Sequence, residues 1–142
     1  MIVRDFYLKN YDNWHITFFI ATNQYDADEI LDRLEYIGCK PKFMRKAYRN
    51  LTSGRLNSGL TYTNPKLRES IIVISEVSDL GEFLDSFFHE LDHFEKHVTQ
   101  ALGFSPYSEY ASYLIGQTVK NLFYSFSKKH VKVNRTRRLY SP

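Results

Sequence analysis

The sequence predicts an α+β fold: a small antiparallel or mixed sheet with helices in the N-terminal part, then a long helix and a last helix folded back antiparallel to it. Three observations lead there. Short runs rich in β-branched and aromatic residues lie at 14–21, 60–63 and 70–75, separated by turn residues. Apolar residues recur at helical spacing from about 26 to 37, and again through most of 79–127. The resulting order β-α-α-β-β-α-α lacks the strict strand–helix alternation of a parallel doubly wound sheet, and no internal repeat is visible.

Trp14-His15-Ile16-Thr17-Phe18-Phe19-Ile20-Ala21 is dominated by strand formers and reads as the first strand. Asp26 offers a helix N-cap with Glu29 three residues on, Ile30, Leu31, Leu34 and Ile37 follow at helical spacing, and Gly38 supplies the stop. Pro41 suits the first turn of a second helix running to about Asn50. A loop rich in Ser, Gly and Asn leads to strands at Leu60–Thr63 and Ser70–Ser75, joined by a turn around Asn64-Pro65. Ser78 or Asp79 can cap a long helix, with Glu82 in the capping-box position for Asp79, and Gly103 closes it; Pro106 opens the last helix, which reaches about Ser127.

The 142 residues, 43% of them apolar, suffice for one domain with a real core. That domain is expected over residues 1–127, with a basic tail at 128–142. One cysteine, Cys39, excludes an internal disulfide framework and fits a reducing compartment. With no signal-like start and no membrane-length apolar run, a cytoplasmic location without membrane contact is the expectation. The net charge of +3 divides unevenly. The tail holds six basic residues and no acid, leaving the body with 13 basic and 16 acidic side chains.

His89-Glu90-Leu91-Asp92-His93 is an H-E-x-x-H pattern inside the long helix. Histidines four apart lie on one helix face, so both rings can reach a single Zn²⁺, and the glutamate stands beside any water on that metal. On the helical wheel Leu84, Phe87, Phe88, Leu91, Phe94, Val98 and Leu102 form the core stripe, with His89 and His93 opposite its centre. A catalytic zinc site needs a third protein ligand and an open position for water. His97, one turn on, would stretch three ligands along about 12 Å of straight helix. Glu95 lies on the apolar side. Glu109, just past the Gly103–Pro106 turn, is the better choice, because the last helix can carry it back beside the first and its dipole favours a carboxylate there.

His-Glu-x-x-His followed by a glutamate on the next helix resembles the gluzincin metallopeptidases. The stretch from about residue 50 to 127 is similar to minimal zincins of bacterial phages and mobile elements, and more distantly to ImmA/IrrE-type regulatory peptidases. The most specific parts are Phe88 to His93 and Glu109-Tyr110-Ala111-Ser112-Tyr113-Leu114-Ile115-Gly116. The resemblance implies a zincin-like domain, His89, His93 and Glu109 as zinc ligands, and Glu90 as general base in the hydrolysis of a peptide or protein substrate. A donor for the developing oxyanion could come from Tyr113, His97 or Tyr62, and a strand such as Ile71–Ser75, if it lies at the sheet edge, could pair with an extended peptide.

The competing expectation is a non-catalytic module with a structural metal and a tail that binds nucleic acid or protein. An intact Glu90 argues against it, since a structural site needs no base. Nucleic acid would be reached only through Lys128, Lys129, Lys132, Arg135, Arg137 and Arg138. Those bases have only Tyr140 as an interleaved aromatic, and a solvated terminus is the expected outcome.

Overall fold

Two β-hairpins meet side by side to form one mixed sheet, and helices cover both of its faces. The structure is a computed structural model that describes residues 1–127; the tail expected at 128–142 lies outside the described residues. The elements run β1 (Ile2–Leu8), β2 (Trp14–Thr22), α1 (Ala27–Tyr36), α2 (Pro41–Thr52), β3 (Gly59–Asn64), β4 (Glu69–Ser75), α3 (Leu80–Leu102) and α4 (Glu109–Phe126). The sheet order is β1-β2-β4-β3, antiparallel within each hairpin and parallel where β2 meets β4. The α+β class therefore holds. No described helix is long and apolar enough to cross a membrane.

Strand β1 is absent from the sequence-based order. Its Arg4 and Asp5 break the apolar run, which suits an edge strand that must discourage pairing with other chains. Position in the sheet explains the other strands. Strand β4 is buried from Ser70 to Ile74 because it lies between two neighbours and under helices on both faces. Ile71–Ser75 is thus an interior strand, and the open edge on this side belongs to β3.

Alternation along the strands divides the core in two. Ile16, Phe18, Ile20, Ile72 and Ile74 pack against Phe87, Leu91, Phe94 and Val98 of α3 and Leu114 and Leu122 of α4. On the other face Phe19, Leu60, Ile71 and Val73 pack against Ile30, Leu34, Ala47 and Leu51 of α1 and α2. Phe87 near the start of α3 meets Phe123 near the end of α4 at 6.0 Å, so the two helices do run antiparallel.

The ends of the elements refine the expected boundaries. Asn23, not Asp26, makes the reciprocal capping box ahead of α1. The Asp79 side chain accepts from the Glu82 N–H at 2.8 Å, and Gly103 closes α3 with φ +78°. Helix α4 starts at Glu109 with Ser108 as its cap; Pro106 belongs to the preceding turn, closed by a Ser108 N–H to Ser105 carbonyl bond. The sheet and α4 cover a narrower stripe of α3 than its apolar residues suggest, which leaves Leu84 and Phe88 exposed at 41% and 56%.

Candidate functional site

Helix α3 lays its core stripe on the sheet and so turns His89 and His93 outward, where both are exposed. Their Nε2 atoms approach to 3.2 Å with ring planes 82° apart. Two imidazole nitrogens bound tetrahedrally to one zinc at about 2.0–2.1 Å would stand about 3.3 Å apart. In the structure the two rings share an N–H···N hydrogen bond at this distance, and the same separation is compatible with both binding one cation.

Glu90 follows the first histidine by one residue, and this rotates it toward the edge strand. It is buried, at 6% exposure. Thr61 of β3 donates its hydroxyl to Glu90 Oε1 at 2.7 Å. A Cβ on Gly59 would stand 3.0 Å from Glu90 Oε2 and 2.6 Å from the Val73 carbonyl oxygen, so only glycine lets β3 pass this close. Between β3, α2 and α3 lies a cavity of about 370 Å³, lined among others by Lys46, Asn50, Thr61, His89, Glu90, His93 and His97.

Among the described residues, no strand pairs with the outer side of β3. Ser75 N–H bonds to the Ser58 carbonyl, which sets the phase of the β3–β4 ladder. By alternation, the main-chain groups of Gly59, Thr61 and Thr63 point off the open edge. The Asn50 amide occupies the Gly59 carbonyl at 3.3 Å.

His97 is half-buried on the same cavity wall, and a relay of hydrogen bonds assigns its tautomer. The Trp14 indole, a donor only, gives its N–H to Ser70 Oγ at 2.9 Å. Ser70 is fully buried, and its hydroxyl hydrogen has one acceptor among the described residues, Thr63 Oγ1 at 2.7 Å. Thr63 must then donate to His97 Nδ1 at 2.8 Å. His97 accepts at Nδ1 and carries its proton on Nε2. Burial, aided by the neighbouring His93, holds its pKa below the ordinary value and favours this neutral form.

The other expected residues are dispersed. Tyr62 faces the opposite side of the sheet from Glu90, where it packs at a tilt against Phe43 and donates to the Gly38 carbonyl, so β3 does not bring it to this site. Tyr113 is 62% exposed on α4 and does not line the cavity. Glu109 is the first residue of α4, exposed, and also outside the cavity lining. Among the described residues, no three His, Cys, Asp or Glu side chains gather where one metal ion could take them all. Glu95 is buried on the apolar side as its wheel position implies, with Oε2 lacking any hydrogen-bond partner among the described residues. The Asp92 carboxyl is held below its ordinary pKa by its hydrogen bond from Lys96, with His93 and His89 adding smaller effects.

Sequence reasoning missed Gly59, Thr61, Thr63, Asn50 and Lys46. A signal for two of them was present: Leu60 and Tyr62 alternate with Thr61 and Thr63, which places both threonines on the face opposite the apolar pair. Compared with known proteins, the chain matches no sequence family, no curated protein and no solved structure.

Proposed function

We propose that this protein is a zinc-dependent peptidase of the gluzincin kind, hydrolysing a peptide bond with Glu90 as general base. The observation that carries the reading is the 3.2 Å approach of the His89 and His93 Nε2 atoms on a cavity wall that also presents Glu90. The two imidazoles fit zinc; Glu109, which the structure does not gather with them, is the third ligand proposed on the resemblance to gluzincins alone. Bound there, zinc supplies Lewis acidity, which makes a water acidic enough to ionise near neutral pH and polarises a carbonyl.

Glu90 then takes a proton from the attacking water and passes it to the leaving amine. The Thr61 hydroxyl on Oε1 fixes the carboxylate and leaves Oε2 to carry that proton. The free edge at Thr61 and Thr63 suits an extended substrate pairing as an added strand. The Nε2–H of His97 is the donor proposed for the carbonyl oxygen as it gains charge. The structural-metal alternative finds less support, since His97, which would have to fill the fourth position, lies 6.5 Å from His93 between ring centroids against 4.8 Å for His89 and His93.

Metal content and turnover on a peptide library, read in the same variants, test this reading. Wild-type protein purified without added zinc should carry one zinc per chain. Glu90→Gln should keep the metal and lose cleavage, because an amide cannot take the water's proton. Glu109→Ala should weaken zinc binding by about tenfold or more, while Asp92→Ala should not. The reverse result for these two would move the third ligand to Asp92; an absence of zinc in wild type would end the reading.

A further inference from the structure

From the charge on the cavity's second wall we infer that the substrate is an acidic peptide segment, docked with its carboxylates on α2; this rests on the peptidase reading of the adjoining site. Eight of the body's thirteen basic residues lie between residues 36 and 68, with no acid among them, whereas the rest of the body holds five basic and sixteen acidic residues. The body is therefore bipolar rather than uniformly acidic. On α2, Lys42, Arg45, Lys46 and Arg49 are spaced i, i+3, i+4, i+7, all exposed, and form one stripe about 100° wide. None of the four has an ion-pair partner among the described residues.

This stripe opposes local stability, so folding does not account for it. Lys40 is the N-cap and Lys42 stands in the first turn, where the helix dipole favours acids, and that turn has none. Like charges at i, i+4 repel as well. The stripe also reaches the site. Lys46 lines the same cavity as His89, Glu90, His93 and His97, with Asn50 one turn further along α2. A strand added to the open edge of β3 would run between α2 and α3, with alternate side chains turned toward Lys46. The cavity, at about 370 Å³, admits a peptide and not a nucleic-acid duplex, although the same stripe could attract phosphates from outside.

The test uses full-length, zinc-loaded Glu90→Gln protein, which binds without cutting. Fluorescence anisotropy follows three probes: a labelled Glu-rich peptide, the same peptide with Gln for Glu, and a labelled DNA duplex. The Glu-rich peptide should bind at least about tenfold tighter than its Gln counterpart and weaken as salt rises. Reversing the stripe (Lys42→Glu, Arg45→Glu, Lys46→Glu, Arg49→Glu) should abolish that preference, and the single change Lys46→Met should reduce it with little effect on folding. Reversing Lys9 and Lys120 instead should leave it unchanged. Equal binding of the two peptides, tighter binding of DNA, or a preference that survives reversal of the stripe would overturn the inference. Wild-type protein on a proteome-derived peptide library separates the two readings. Cuts flanked by Asp or Glu support both. Cuts without acidic preference refute acidic docking alone. An uncut library with intact acidic-peptide binding refutes peptidase action alone.

Discussion

His97 shows how much of the chemistry depends on hydrogen atoms that the heavy-atom positions only imply. Its tautomer is dictated through two hydroxyls by an indole that can only donate, so a change distant from the ring should alter it. In ¹⁵N NMR, His97 of the wild type should be protonated at Nε2, and Thr63→Val should yield a mixture of tautomers with slower cleavage and unchanged zinc content. Protonation of the wild-type ring at Nδ1 would remove it as the oxyanion donor. Glu95 makes the opposite point. A carboxylate oxygen buried without a partner costs about 1–3 kcal/mol. Glu95→Leu, similar in volume and at a buried position, should therefore raise the thermal midpoint by about 3 °C or more. A lower midpoint would mean that Glu95 has a partner these contacts do not include.

Among the elements, β3 ties the sheet to the candidate site, and its close fit between Val73 of β4 and the Glu90 side chain depends on Gly59. A methyl there would stand 2.6 Å from a main-chain oxygen, which cannot swing away as a flexible side chain can. Gly59→Ala should cost about 1–3 kcal/mol in urea unfolding and, by shifting β3 against β4 and disturbing Glu90, reduce cleavage more than zinc binding. Helix α3 was legible in the sequence because its cap, its stop and its histidine spacing are all local signals within one helix. The partners of Glu90 were not, since Thr61 and Gly59 come from a strand 29 and 31 positions away and meet it only through tertiary packing. Edge or interior position is likewise a property of the assembled sheet. The apolar run at Ile71–Ile74 identified a strand but could not say which neighbour would lie outside it. Strand β1 escaped notice because edge strands carry the charges that hide them.

For the whole molecule, titration at high pH links the two cores. On the sheet's α1/α2 face, burial pushes the Cys39 thiol from its ordinary 9.0 up to about 11. On the other face, burial and the neighbouring Tyr110 push Tyr11 from 10.0 up to about 12. Each acid binds its proton more tightly folded than unfolded. The stability this represents is complete below pH 9.0 and is lost as pH rises, first from 9.0 to about 11 through Cys39 and then from 10.0 to about 12 through Tyr11. Urea midpoints measured across that range should fall steadily, and Cys39→Ala should remove the earlier part of the decline. Midpoints independent of pH over the interval would contradict both shifts.

The parallel pairing of β2 with β4 also bears on the order in which the parts come together. Each hairpin closes a short loop, but Trp14 and Ser70 are 56 residues apart. His89 and His93, by contrast, need only one turn of helix to meet. During refolding, the histidine pair proposed to bind metal can form as soon as α3 does, well before the indole reaches Ser70, because long loops close later than local contacts. The proposed capture of a cation and the assignment of the His97 proton would therefore be separable in time. With a single tryptophan in the chain, a cobalt absorption signal appearing ahead of the Trp14 fluorescence change would record that sequence of events; simultaneous signals would show that the pair waits for the completed sheet.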